Sequence, residues 1–263
     1  MMFLGYILSI FMGLTLGLIG AGGSILTVPI LVYMFQVRPV IATGYSLLVV
    51  GIVSLSGAIS YWRHNLVNIR AVLIFAIPAM LTMLATRGYI IPAIPDQIIG
   101  ITKDVFLMLL FSGLMIIAGM FMLKPLKFVP NQTSTLSTRR IFIIIIGSAV
   151  IGILTGMVGA GGGFLIIPTL IALFGLPVKE AIGTSLAIIA INSLIGFQGD
   201  ISTGIQLDFQ LIVTFISLTL LGMWLGTTFG KRTDGAKLKT LFALFTLLTG
   251  FAVFGSELHI LLN

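Results

Sequence analysis

Apolar residues fill this chain in long runs that short polar stretches separate. The runs lie near 2–35, 40–62, 69–91, 98–123, 141–175, 178–199, 209–230 and 237–256. A helix needs about 20 apolar residues to cross a bilayer, so six of these runs fit one crossing each. The first and fifth runs are too long for a single crossing. Transmembrane β-strands would instead alternate apolar and polar residues in short runs of about ten, and this chain has no such runs. The pattern therefore predicts an all-α integral membrane protein.

The composition supports the same interpretation. The chain is 58% hydrophobic and 8% charged, whereas a soluble domain carries roughly 25% charged residues. The N-terminus is apolar from Met2 and lacks both a basic n-region and a small-residue cleavage site. It is therefore predicted to be the first membrane segment rather than a cleaved signal peptide.

The two long runs carry the same glycine-rich sequence. GLTLGLIGAGGSILTVPIL at 13–31 aligns with GILTGMVGAGGGFLIIPTL at 152–170, at an offset of 139, with nine of 19 positions identical. Duplication at a fixed offset indicates two structural repeats. The predicted domains are a first transmembrane repeat at 1–123, a cytoplasmic linker at 124–140 and a second transmembrane repeat at 141–263.

The glycine clusters predict broken helices. Each Gly weakens a helix by about 1 kcal/mol relative to Ala, and a Pro follows six residues after Gly23 and after Gly162. Close helix packing in lipid uses glycines four residues apart. Gly13 and Gly17 fit that spacing, whereas the clusters do not, so re-entrant or discontinuous helices are favoured. The pair Gly222–Gly226 would serve either packing within the chain or a homodimer.

The positive charges favour hairpins at both glycine clusters. If all eight runs crossed the membrane, the 14 Lys and Arg residues would divide six to eight between the two faces. If each glycine run enters and returns on one side, eleven lie on one face, which the positive-inside rule places in the cytoplasm. The halves are then inverted and both termini lie outside. These eleven are Arg63, Arg70, Lys124, Lys127, Arg139, Arg140, Lys179, Lys231, Arg232, Lys237 and Lys239.

Broken helices inside inverted repeats are typical of secondary transporters. The segments after the breaks, 25–35 and 164–174, would begin with free N–H groups and partial positive charge, which attract anions. Glycine lets an anion approach those donors closely. The neighbouring hydroxyls and amide could also simply bond backbone carbonyls. The candidate substrate-binding residues are Gly20, Ala21, Gly22, Gly23, Ser24, Ser46, Gly159, Ala160, Gly161, Gly162, Gly163, Ser185 and Asn192.

No catalytic, metal or cofactor site is expected. The chain has no cysteine, its seven carboxylates show no paired or metal-ligand spacing, and it contains no nucleotide-binding loop. The net charge of +7 is attributed to cytoplasmic loops rather than to nucleic-acid binding. Glu180, Asp200 or Asp208 could carry coupling protons, but their predicted loop positions favour ordinary solvation.

The duplicated motifs GxxGAGGSxLxxPxL and GxxGAGGGFLxxPxL resemble those of the sulfite exporter TauE/SafE family, also called the toluene-sulfonate uptake permease family. The resemblance covers both halves. It implies a secondary transporter of the cytoplasmic (inner) membrane that exports small sulfur-containing anions such as sulfite and organosulfonates. It also implies that the matched glycines, with Pro29 and Pro168, frame the substrate path. Ser24 departs from its counterpart Gly163, which makes the two glycine clusters unequal as anion-binding sites.

Two other functions stay open at this point. A flippase for an isoprenoid phosphate would also use re-entrant elements, but it should place Arg or Lys inside the membrane segments. Here the basic residues lie at segment ends, except for Arg87 and Lys103. An anion channel would share the same architecture.

Overall fold

The computed structural model describes residues 2–20, 22–98, 101–123, 138–159, 161–202, 208–230 and 235–262. Most of the predicted linker therefore lies outside the described residues. The helices are α1 (Met2–Ile19), α2 (Gly22–Pro29), α3 (Pro39–Trp62), α4 (Ile69–Ala85), α5 (Ile91–Ala93), α6 (Lys103–Leu123), α7 (Thr138–Val158), α8 (Gly163–Thr169), α9 (Val178–Ser202), α10 (Phe209–Gly230) and α11 (Gly235–Leu262). Single π-helical turns extend three of them, at Ile30–Met34, Thr86–Ile90 and Leu170–Phe174.

The all-α membrane fold is confirmed. Seven helices in the described part of the chain are long and apolar enough to cross a membrane, so the protein is a multi-pass membrane protein. One predicted boundary is wrong: the apolar run placed at 98–123 begins its helix at Lys103. Two short antiparallel strands, β1 (Gln97–Ile98) and β2 (Ile101–Thr102), precede it.

The first glycine-rich run folds as a hairpin with unequal arms. Helix α1, which has 18 residues, rises about 27 Å at 1.5 Å per residue. The chain turns at Gly20, and α2 with its π-helical turn runs back beside α1. The ring of Phe35 ends the return against the ring of Tyr6, with centroids 5.1 Å apart. The start and the finish of the hairpin therefore lie at the same end of the molecule.

The long helices pair across the two halves. Gly13 and Gly17 of α1 pack on the backbone of α10, where Gly222 and Gly226 receive α1 in return. Later residues of α1 contact later residues of α10, so the two helices run parallel. Glycines allow two helix backbones to approach closely in lipid. The sequence pair Gly222–Gly226 therefore serves packing within the chain.

Helices α4 and α7 form the equivalent parallel pair, with Gly152 and Gly156 of α7 packed on α4. Between these pairs, α3 and α9 run antiparallel: Gly51 faces Leu194 near the middle of both helices, whereas Tyr61 at the end of α3 faces Gly183 near the start of α9.

Two helix N-caps mark the two ends of the helix bundle. Asn68 caps α4 by accepting from Ala71 N at 3.0 Å, and its own N–H donates to Thr184 Oγ1 of α9 at 2.9 Å. Asp208 caps α10 by accepting from Leu211 N at 3.0 Å, and its N–H donates to Tyr45 of α3. Caps of this kind satisfy backbone donors that a helix start leaves free. We call these ends the Asn68 end and the Asp208 end.

The second glycine-rich run is also a hairpin, entered from the opposite end. Helix α7 begins at the Asn68 end, because it runs parallel to α4. The return arm of α8 and its π-helical turn stops at Phe174, just before α9. Helix α9 begins at the Asn68 end too, because Asn68 Nδ2 donates to Glu180 Oε1 at 3.1 Å.

Candidate functional site

The two glycine turns adopt backbone conformations that other residues rarely adopt. Gly20 has φ +77°, and its counterpart Gly159 has φ +71°. A Cβ at Gly20 would lie 2.6 Å from Ile182 Cγ2 of α9, and a Cβ at Gly159 would lie 2.6 Å from Thr43 Cα of α3. Only glycine fits such a position without strain. Each turn therefore contacts the second long helix of the other half.

Gly161 brings the second turn to the middle of the central helix pair. It has φ +64°, and a Cβ there would lie 2.9 Å from Ser193 Oγ and Ile189 Cγ2 and 3.0 Å from Val50 Cγ1. Val50 and Ile189 stand near the midpoints of α3 and α9. The backbone of the second cluster thus reaches the depth that would correspond to the centre of the bilayer.

The two central helices carry buried polar atoms without hydrogen-bond partners, one of which, Ser193 Oγ, faces Gly161. Ser193 Oγ and Asn192 Oδ1 on α9, and Ser46 Oγ and Ser54 Oγ on α3, are all buried and unpartnered. Buried polar groups in proteins are normally hydrogen-bonded, and leaving one unpaired costs about 1–3 kcal/mol. Four such atoms on the two facing helices are the candidate contacts for a polar ligand.

Ser46 and Ser185 lie 139 residues apart, at equivalent positions of the two repeats, but their hydroxyls have different surroundings. Ser185 Oγ donates to Gly20 O at 3.2 Å and to Ile182 O at 2.8 Å, so it supports the first turn. Ser46 has no partner for its hydroxyl.

Several of the predicted substrate-binding residues have a packing role. Gly23 allows α2 to lie against α1, because a Cβ there would overlap Met12 O and approach Leu16 Cβ at 2.6 Å. Gly162, with φ +71°, leaves the same room for Thr155 of α7. Both glycines are therefore needed for the hairpins themselves.

The remaining predicted residues surround the turns. Gly22 and Gly163 are the first residues of α2 and α8, and Ser24 is fully buried within α2. Ala21 and Ala160 lie outside the described residues.

An ion pair that sequence reasoning missed lies beside the second turn. Arg87 is 2% exposed and Asp200 is 5% exposed, and Arg87 Nη1 lies 2.9 Å from Asp200 Oδ2. The prediction that Asp200 is a solvated loop residue is wrong, because α9 continues through it to Ser202. Arg87 follows α4 in a π-helical turn. The signal available was the position of Arg87 inside the apolar run 69–91, whereas Asp200 follows the run 178–199.

Ser54 was also missed, although the repeat offset identifies it: Ser54 and Ser193 lie 139 residues apart, as the two turns do. Within the described residues, no group of three or more His, Cys, Asp or Glu side chains is placed to hold a metal ion.

Comparison with known proteins matches this architecture to a transporter family. The sequence model described as "Sulfite exporter TauE/SafE" matches residues 6–253. A probable membrane transporter protein of Xylella fastidiosa strain 9a5c is 31% identical over 227 residues, covering 86% of this chain and 83% of that protein.

Two Bacillus subtilis strain 168 proteins are also similar. The probable membrane transporter protein YjnA is 26% identical over 250 residues, covering 93% of this chain and 96% of that protein. YdhB, with the same description, is 29% identical over 241 residues, covering 91% and 94%. No solved structure matches. The match of the family model over nearly the whole chain shows that this multi-pass membrane protein belongs to the sulfite exporter TauE/SafE family.

Proposed function

We propose that the protein is a secondary transporter that exports small sulfur-containing anions, such as sulfite or organosulfonates, across the cytoplasmic membrane by alternating access. The observation that carries this proposal is the set of unpartnered polar atoms at the middle of α3 and α9, against which Gly161 packs. Serine hydroxyls there are neutral donors for an oxyanion.

The arrangement of the hairpins supports alternating access. They enter from opposite ends of the bundle and turn on opposite members of the central pair. Broken helices at the interface of inverted repeats are how many secondary transporters form a midplane site. In this proposal the anion site lies at the antiparallel pair α3 and α9, and the two hairpins open it alternately to the two ends of the bundle.

The membrane orientation follows from charge. The Asn68 end carries Arg63, Arg70 and Lys179 beside the helix starts and ends, and an excess of Lys and Arg marks the cytoplasmic side. Both termini are then outside and the 124–140 linker is inside. A proton is the proposed coupling ion. The homodimer stays a prediction, since Gly222 and Gly226 pack on α1 within the chain.

A flippase for an isoprenoid phosphate is the second candidate, and one observation favours it. Arg87 is buried within the span Ile69–Ala93, which is where a phosphate-binding lipid carrier needs a cation. An apolar groove of about 580 Å³, lined by Tyr89, Pro95, Phe106 and Met157, would fit a prenyl chain. Ligand specificity separates the two functions.

The first test measures ligand binding by thermal shift of the purified protein in detergent. Sulfite, thiosulfate, sulfoacetate, taurine, sulfate and an isoprenoid phosphate are compared at equal ionic strength. A ligand at 100 times its Kd stabilises the folded state by about 2.7 kcal/mol. We expect a sulfur oxyanion to raise the Tm. Stabilisation by the isoprenoid phosphate alone would replace the transporter with the flippase.

Gly161→Val sharpens the test, because the branched side chain would fill the space between Ser193, Ile189 and Val50. We expect it to abolish transport in proteoliposomes. Gly147→Val is the matched control, since a Cβ at Gly147 meets nothing within 4 Å. Transport by Gly161→Val at the wild-type rate would refute the proposed anion site at Gly161.

Ser193→Ala covers the case in which Gly161→Val does not fold, because φ +64° strains any residue with a Cβ. Loss of one hydroxyl donor should weaken anion binding by about 2- to 10-fold. Ser148→Ala is its control, since Ser148 Oγ is buried in α7 and bonds Ile145 O at 2.9 Å within its own helix. Equal anion binding by wild type and Ser193→Ala would remove Ser193 from the site.

A further inference from the structure

Arg87 uses only one of its three guanidinium nitrogens. Nη1 donates to Asp200 Oδ1 at 3.0 Å, to Asp200 Oδ2 at 2.9 Å and to Thr43 Oγ1 at 3.3 Å. Nε and Nη2 are buried and have no partner. Because an arginine carries five N–H hydrogens, three of them point away from the carboxylate without an acceptor. Hydrogen bonds made by charged groups are among the strongest in proteins, so leaving these donors unpaired is costly.

The two unpaired nitrogens share one edge of the guanidinium plane. Nε–H and one N–H of Nη2 point in the same direction, and together they form a fork that matches two oxygens of one oxyanion. Bidentate binding of carboxylates and phosphates through such a fork is why arginine is preferred over lysine at these sites. Asp200 occupies Nη1 and leaves this edge open.

The Arg87 side chain lies beside the second glycine turn. Thr43 connects the two, because its hydroxyl receives Arg87 Nη1 and its Cα would lie 2.6 Å from a Cβ at Gly159. Arg87 itself packs close to Gly199, where a Cβ would lie 3.2 Å from Arg87 Cβ. Arg87 therefore lies beside the Gly159 turn, near the Asp208 end of the bundle.

The positions beside the Gly20 turn that are equivalent to Arg87 and Asp200 carry no charge. At the repeat offset of 139, Asp200 corresponds to Tyr61, and Arg87 falls on Gly226. Tyr61 donates its hydroxyl to Gly17 O at 3.1 Å, and Gly226 packs on α1. The ion pair is therefore specific to one of two otherwise matching places. Packing of a turn against the opposite half does not require the ion pair, since the Gly20 turn packs without one.

We propose that Arg87 is a substrate-binding residue whose Nε–H and Nη2–H fork binds two oxygens of the transported oxyanion beside the Gly159 turn. This inference rests on the proposed transport function and adds a charged binding position to it. The shared chemistry is an oxyanion, which a free sulfur anion or a lipid phosphate would supply.

The test compares Arg87→Lys with wild type in the same thermal-shift and proteoliposome assays, with sulfite, thiosulfate and an isoprenoid phosphate as probes. Lysine keeps the positive charge and can still pair with Asp200, but it has no fork. Arg38→Lys is the control, because it makes the same chemical change at an exposed arginine beside α3. We expect the Kd for the oxyanion to rise about 10- to 100-fold in Arg87→Lys, with no change in Arg38→Lys.

The double variant Arg87→Gln/Asp200→Asn removes the fork and both charges together, and it serves if Arg87→Lys does not fold. Size-exclusion chromatography in detergent and the ligand-free Tm establish folding for every variant. Selective loss of anion binding in either folded variant supports the fork.

The other outcomes separate the two proposals. Wild-type anion affinity in a folded Arg87 variant overturns the fork and leaves the transport function standing. Absence of stabilisation of wild type by any oxyanion overturns both. Binding of the isoprenoid phosphate alone, lost in Arg87→Lys, supports the fork and assigns it to a lipid carrier.

Discussion

The Gly20 turn and the Gly159 turn have nearly the same backbone and different chemical surroundings. Both have a left-handed glycine that packs on the opposite half. At the Gly20 turn the nearest polar group, Ser185, donates to the turn's own carbonyl. At the Gly159 turn the neighbour is Thr43, which contacts a buried arginine with free donors. The repeated backbone provides two equivalent turns, and the side chains give only one of them a charge.

The largest expected effect compares Asp200 with Tyr61, which occupy equivalent places in the two repeats. Asp200→Ala leaves the Arg87 charge buried and unpaired, which should cost about 3–5 kcal/mol of unfolding free energy. Tyr61→Phe removes one neutral hydrogen bond, at a cost of about 1 kcal/mol. Thermal unfolding in detergent measures both. Equal losses of stability would show that the two turns are held by similar forces.

An intermediate effect is expected from alanine at the turns themselves. Gly20→Ala and Gly159→Ala each place a Cβ at positive φ, which costs about 1–3 kcal/mol. Gly159→Ala should be the worse variant, because its Cβ would meet the backbone of Thr43, whereas at Gly20 the nearest atom is the side-chain methyl Ile182 Cγ2. The same unfolding assay tests the order. A larger loss at Gly20 would contradict the contacts described for the two turns.

The smallest expected effect on stability distinguishes Ser46 from Ser185, which occupy equivalent positions in the two repeats. Ser185→Ala should lower the unfolding free energy by about 1 kcal/mol, since its hydroxyl supports the Gly20 turn. Ser46→Ala should leave stability nearly unchanged, because Ser46 Oγ has no partner to lose. Transport reverses the expectation: Ser46→Ala should slow it if that hydroxyl receives substrate. A stability loss in Ser46→Ala as large as that in Ser185→Ala would show that Ser46 is structural.

Periodic and compositional features of the sequence predicted most of the fold. Apolar run length located the membrane segments, and the ends of α3 and α10 differ from the predicted runs by a single residue or none. The glycine clusters predicted the breaks, because flexible backbone inside an apolar run is a local property. The spacing of Gly13 and Gly17 predicted close packing for the same reason, but it could not name α10 as the partner.

The ion pair was beyond the reach of such reasoning. Arg87 and Asp200 are separated by 113 residues, and nothing in either local sequence specifies the other. Asp200 follows the end of its apolar run, where a charged side chain is usually solvated. Burial is decided by how α4 and α9 meet, which is a tertiary property. The same limit applies to Gly23 and Gly162, where packing against α1 and α7 decides the role.

The pairing of α1 with α10 has a consequence for biosynthesis. Gly13 emerges from the ribosome roughly 200 residues before Gly222, and at about 5–20 residues per second that interval lasts about 10–40 seconds. During this time the glycine face of α1 has no partner within the nascent chain. Something else in the membrane, lipid or insertion machinery, must cover it until the second half arrives. Neither half contains the partner of its own first helix, so assembly of this protein is necessarily completed late.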